Sequence, residues 1–386
     1  MNLPPLSKPR RTPWQDIPIV ALPARARMLV PAGNYFQRPA SWIDLADATC
    51  ETRRTVEQYA GVHSQDHGPI HEYQIADALV TGQGAVVTPD GGLIRDTVRE
   101  LIVDGRIPEG FVAGPRRGML RLAYAVTRRI EEPCLLLKRP WWRNYGHMLT
   151  DVGGVLGLYQ SLGTPATGTV VLGATDDPSI HDRTEELVRL LAPAATPLRM
   201  PDNASWEFAD LRLVSPVNVP PMIKLPKGLE GLRKAVLTED NLRGEPTPRR
   251  LFVGRRGKPR GLANADVVLA VCARHGLVEV TPETTDLIGQ ARLFHRADVI
   301  VGLKGAALTN IVFCRRGIGV VVLSPADFPD PFFRDIAGQR RLRYAEVFGV
   351  LCGEGEQGQR DFHCDPARVK TALERVAGGL LGERFA

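Results

Sequence analysis

In the run 138–159, KRPWWRNYGHMLTDVGGVLGLY, His147 and Asp151 stand four residues apart, the spacing that puts two side chains on one face of a helix. A histidine paired with a carboxylate can act as a general base. The Asp holds the ring tautomer while the other ring nitrogen takes a proton from a hydroxyl. The same residues also fit a plain helix-surface pair with Asn144 as the cap of the helix start.

Two further stretches carry chemistry for an anion. In 249–268, RRLFVGRRGKPRGLANADVV, Arg250 leads into an apolar run, and Arg255, Arg256, Lys258 and Arg260 crowd the glycine-bearing loop that follows. Arginine forks at such a loop can make bidentate bonds to the oxygens of a diphosphate. In 299–313, VIVGLKGAALTNIVF, Lys304 sits in a small-residue turn between a buried strand and a helix start. Free N–H groups there point at whatever lies over the turn, and the glycines allow close approach. The bland readings are a packing turn and a solvated basic loop. His63, Asp66, His67 and His71 have ligand-like spacing, and His63 and His67 could share a helix face. Gly68-Pro69 breaks any helix before His71, so these read as surface or cleft-lining histidines and no metal site is expected.

These residues need a frame. The chain has 386 residues, 44% hydrophobic and 24% charged, enough for two domains with sizeable cores. A net charge of +6 suits anionic ligands or a membrane surface better than a dedicated nucleic-acid binder. No aromatics interleave with the basic loop to stack on bases, so no nucleic-acid partner is expected. Six scattered cysteines point to a reducing compartment. The N-terminal run lacks a signal-peptide core and no segment is apolar enough to span a membrane, so a cytoplasmic protein is expected.

Residues 1–71 read as an N-terminal arm or β-rich extension. From 72 to 96, β-branched residues alternate with turn dipeptides, as in a β-meander. Strands at 134–138 and 169–172 then alternate with helices at 145–162 and 181–191, giving an α/β domain over 72–220. The proline-bearing stretch 221–248 reads as a linker. Over 249–386 the alternation is cleaner: strands at 250–253, 277–280, 299–302 and 319–323, helices at 264–275, 285–296 and from 308. That is a second doubly wound α/β domain, whose ligands would sit at the carboxyl ends of the strands.

Together, Asn144-x-x-His147-x-x-x-Asp151, the Arg250…Arg255-Arg256…Arg260…Asn264 run, Gln290-x-x-Leu293-Phe294-x-x-Ala297-Asp298 and Gly302-x-x-Gly305-Ala306-Ala307-Leu308-Thr309-Asn310 resemble glycosyltransferase family 61. The resemblance implies a GT-B-like fold, two Rossmann-like domains facing across a cleft. The acceptor side would be 72–220 and the nucleotide-sugar domain 249–386. It implies an inverting, metal-independent hexosyl- or pentosyltransferase of surface or capsular polysaccharide synthesis, with no cofactor. The expected partners are a nucleotide-sugar donor, a glycan or lipid-linked acceptor, and an anionic membrane surface met through basic arms such as Lys8-Pro9-Arg10-Arg11.

His147 and Asp151 would be catalytic, either one as the base. Asn144, Arg255, Arg256, Arg260, Asn264, Lys304, Gly305, Ala306 and Asn310 would bind the donor. The family usually has histidine where Lys304 stands. It also has an acidic residue where Ala265 follows Asn264, and often one near Val322. The competing expectation is a degenerate, non-catalytic member that folds and binds without turnover.

Overall fold

The computed structural model describes residues 19–20, 26–98, 107–113, 120–219, 223–255 and 257–378. It is a mixed α/β protein of two compact units, residues 1–32 with 68–217, and residues 33–67 with 218–386. Lys8-Pro9-Arg10-Arg11 and Arg256 lie outside the described residues.

The first unit is built on a 10-stranded mixed sheet. The meander is present as the antiparallel strands Ile70–Thr81, Ala85–Val87 and Leu93–Ile94. Parallel strands Cys134–Leu136, Gly168–Gly173 and Ala195–Met200 follow. The Cys134 strand is wholly buried, as an apolar run covered on both faces should be. Helix Pro178–Leu191 begins with Asp177 accepting from the Ser179 N–H and Pro178 in the first turn, and buries Ile180, Thr184, Leu187, Val188 and Leu191 on one stripe.

Strand Ser205–Val214 joins the two halves of the sheet, antiparallel to Ile70–Thr81 and parallel to Cys134–Leu136. Around it Phe208, Leu211 and Leu213 pack with Tyr73, Leu136 and Val171 in the core.

The second unit holds five successive parallel strands, numbered here β1 (Arg250–Val253), β2 (Val278–Val280), β3 (Val299–Leu303), β4 (Gly319–Pro325) and β5 (Arg343–Leu351). Their order across the sheet is β2-β1-β3-β4-β5. Trp42–Asp44 adds a parallel strand to β5, so residues 33–67 pack with this unit rather than form part of an N-terminal arm. The expected linker is likewise part of the unit: helix Pro226–Val236 places proline in its first turn and buries Leu229, Leu232 and Val236. Its proline starts a helix instead of breaking one.

The helix expected from 308 is a 3-10 helix, Ala306–Phe313. It is rich in β-branched residues, which fit an α-helical turn poorly, and the Asn310 side chain reaches back to the Ala307 carbonyl.

Candidate functional site

In the second unit the strand order reverses direction between β1 and β3, and ligands of open parallel sheets bind outside the carboxyl ends of the strands at such a switch point. A cavity of about 370 Å³ lies there, walled by Phe252 and Gly254 at the end of β1, Leu303 at the end of β3, and Arg255. The Arg255 guanidinium rests directly on the Gly305 backbone. A Cβ added to Gly305 would fall 1.8 Å from Arg255 Nη1, so the glycine leaves the space that the guanidinium fills.

Arg255 Nε donates to the Pro259 carbonyl (3.1 Å), which fixes the plane of its fork. Burial, and next the neighbouring Arg260 charge, pull the Arg255 pKa down to about 10. Arg260 lies over the Phe328 ring at 5.0 Å, at a positive φ of 63°. Among the described residues neither arginine has a carboxylate within ion-pair distance, whereas Lys258 of the same loop is paired with Glu283 at 2.6 Å. The Glu283 and Asp330 charges act on these two desolvated guanidiniums only from beyond ion-pair distance, and a bound oxyanion would neutralise them directly.

Other predicted donor ligands are turned inward. Lys304 is 1% exposed, and its ammonium donates to Glu346 Oε1 (2.9 Å) and to the Phe328 carbonyl (2.9 Å). Its charge is spent on a buried carboxylate, which corrects its expected place over the donor phosphates. Asn264 donates to the Cys364 carbonyl and accepts from the Cys364 N–H, tying the loop after β1 to the far end of the chain. Asn310 is fully buried and donates to Gln290 Oε1 (2.9 Å), locking the 3-10 turn to helix Leu287–Arg296. Ala306 remains half-buried at the start of that turn.

In the first unit Asn144 caps the helix start, its side chain accepting from the Gly146 N–H at 2.8 Å. His147 Nδ1 lies 3.1 Å from Asp151 Oδ2, with the His side chain 21% exposed and the Asp largely buried. Residues Met148–Val152, which follow His147 and include Asp151, wind as a π-helical turn, a distortion found often at functional sites. With the Nδ1 proton donated to the carboxylate, Nε2 is the basic nitrogen.

The preceding loop is held by Asp202, which takes the buried Lys138 ammonium (2.7 Å), the Trp142 Nε1–H (3.1 Å) and Arg143 (3.2 Å). Trp142 lies against Gly173, where an added Cβ would meet the ring at 2.2 Å. Strand ends, loop and helix start are thereby fixed to one another.

Residues 145–321 match the family model of Glycosyltransferase 61. This segment is a glycosyltransferase 61 domain. The match opens on the helix that bears His147 and closes within β4, so it takes in His147, Asp151, Arg255, Arg260 and Gly305. No curated protein matches the chain.

Several residues at the switch-point cavity went unread in the sequence. Glu279 lines it from β2, its carboxylate close against Gly254; as a polar residue near the carboxyl end of a strand it could have been found. Asp361 lines it too and accepts from the Gly261 N–H (2.7 Å), but it lies beyond the glycosyltransferase 61 match and has no local signal, and the same holds for Phe328 under Arg260. The histidine-rich stretch is not helical: Ser64–His67 is a strand paired with Gly33–Phe36, His67 stacks on Tyr35, and His71 belongs to strand Ile70–Thr81.

Proposed function

We propose that this protein, in which residues 145–321 match the Glycosyltransferase 61 model, is an inverting, metal-independent enzyme of GT-B type that moves a hexosyl or pentosyl group from a nucleotide-sugar donor to a glycan or lipid-linked acceptor. The proposal places it in surface or capsular polysaccharide synthesis, cytoplasmic and peripheral on the inner membrane. The observation that carries the reading is Arg255 seated on Gly305 at the switch point, with Arg260 close by and no carboxylate in ion-pair reach of either among the described residues. A diphosphate leaving group is the ligand that such a pair neutralises.

In the proposed reaction the acceptor oxygen attacks the anomeric carbon as the bond to the diphosphate breaks, with inversion. The hydroxyl proton passes to His147 Nε2, and Asp151 stabilises the imidazolium that results. The negative charge gathering on the departing diphosphate is met by Arg255 and Arg260.

The experiment is calorimetry with a panel of nucleoside diphosphates and nucleotide sugars. The native protein should bind one nucleotide class, and Arg255→Ala should weaken that binding by about 1.5–3 kcal/mol, the range of charge-assisted bonds. Equal affinity in the variant overturns the reading. Turnover should survive a chelator, and strong inhibition reversed by a divalent cation would replace the mechanism with a metal-assisted one.

A further inference from the structure

A second cationic cavity, of about 590 Å³, lies elsewhere in the second unit. Arg316 precedes β4, Arg340 and Arg341 precede β5, and His295 ends the helix before β3, so this cavity is at the amino ends of the strands. The switch-point cavity is at their carboxyl ends, and the five residues of β3 separate the two by about 17 Å. Nothing in the sugar-transfer chemistry uses it.

Its charge is one-sided. Glu230 is the acidic residue of its wall and is taken up by Lys234 at 3.1 Å. Arg233, Arg316, Arg340 and Arg341 line the same space, and among the described residues none has a carboxylate within ion-pair distance. Arg233 donates to the Val312 carbonyl and Arg340 Nη2 to the Cys314 carbonyl (3.0 Å), anchoring both guanidiniums at the end of the 3-10 helix with most of their N–H groups still to be satisfied. Among the described residues the buried Arg340 Nε has no hydrogen-bond partner. Arg341 is held over the Phe36 ring at 5.2 Å in a left-handed conformation (φ 56°).

We infer that this cavity is a binding site for a phosphate-bearing ligand, distinct from the donor site. Anchored, preoriented guanidinium forks gathered without carboxylates match the geometry and charge of phosphate oxygens. The packing of like charges is felt by the groups themselves: burial and then the Arg340 charge draw Arg233 down to about 9, and burial and then Arg316 lower Arg340. A bound phosphate relieves that repulsion. The phosphate could belong to a soluble phosphorylated compound or to a lipid headgroup, with the exposed Phe36 at the rim touching its apolar part.

The test uses the full chain and the variant Arg316→Gln/Arg341→Gln, which alters two exposed side chains. Inorganic pyrophosphate titrated by calorimetry should show two sites in the native protein. The double variant should lose one of them, weakened at least ~10-fold, and Arg255→Ala should weaken only the other. Sedimentation with phosphatidylcholine vesicles containing phosphatidic acid separates the two sources. Recovery with such vesicles but not with pure phosphatidylcholine, lost in the double variant, assigns a lipid headgroup; pyrophosphate binding without vesicle recovery assigns a soluble ligand. Should the double variant misfold, Arg316→Gln alone carries the same comparison. Pyrophosphate and vesicle binding both indifferent to these substitutions overturn the inference, and leave the donor site to be judged by Arg255→Ala.

Discussion

Replacing Lys304 by methionine separates a structural role from a ligand role. The substitution keeps the length of the side chain and removes its charge. Among the described residues it leaves the fully buried Glu346 carboxylate with the Ser324 hydroxyl (2.6 Å) and the Tyr344 hydroxyl (2.7 Å) as its donors. At the 2.9 Å separation of Lys304 and Glu346, the attraction at an effective dielectric of ~20 is about 6 kcal/mol. The relief of no longer burying an ammonium offsets part of this, and breaking one side of a buried pair costs about 3–5 kcal/mol.

The two hydroxyl donors that remain put Lys304→Met at the lower end, about 3 kcal/mol. Lys304→Met/Glu346→Gln removes both charges and should recover most of that loss, a coupling of at least ~1 kcal/mol. Amide hydrogen exchange along β3, β4 and β5 reports the effect on this unit alone, since the chain has two compact units and a single unfolding midpoint would mix them. A single variant as protected as the native protein, or a double variant no better than the single one, refutes the buried-pair account. Weakened nucleotide binding with unchanged protection would return Lys304 to the donor phosphates.

Three other outcomes are expected. Gly305→Ala should leave stability nearly unchanged, because its backbone is extended (φ −178°), yet its Cβ evicts the Arg255 guanidinium. Nucleoside-diphosphate affinity measured by calorimetry should fall about 10-fold, and unaltered affinity would show that the contact is incidental. His147→Ala should cut turnover by ~10²–10⁴-fold in a steady-state assay with nucleotide affinity retained, and full turnover removes it as the base. Burial chiefly, with Arg233, Arg315 and Arg340 adding to it against the Phe313 carbonyl, holds the His295 pKa below its ordinary 6.5. The unfolded chain therefore binds that proton first, so the contribution of neutral His295 is complete above pH 6.5 and is lost as pH falls from there towards the folded value. Urea titrations across pH 7 to 5 should show a shallower loss in His295→Gln, and parallel curves would refute it.

The second unit was legible where its strands are buried on both faces. Val299–Leu303 and Arg250–Val253 read as apolar runs closed by glycine, and both occur as strands within a residue of those bounds. The elements that escaped reading depend on distant partners. Ser205–Val214 carries Glu207, Asp210 and Arg212 among its apolar residues, and it is fixed by pairing with Ile70–Thr81, more than a hundred positions earlier. Trp42–Asp44 is a strand because β5, some 300 positions later, offers it an edge. No local pattern contains such information, since a short strand has no stability apart from its neighbour.

The same division runs through the candidate site and explains why its motif residues have unlike fates. A strand-to-turn junction that brings backbone close to a ligand must be rigid, and rigidity at a glycine-rich bend requires its polar groups to be satisfied from within. Gln290 with Asn310, Asn264 with the Cys364 backbone, and Lys304 with Glu346 do this work. Their spacing in the sequence reflects the shape of the turn they build. Among the described residues Arg255 and Arg260 have no carboxylate within ion-pair distance, and Asp151 holds His147 at Nδ1. A charged residue in the motif series is thus a candidate for chemistry where the fold holds it in place without burying its charge in a carboxylate pair. Arg255 meets that measure, His147 is a candidate as the histidine that Asp151 orients, and Lys304 holds its own turn together.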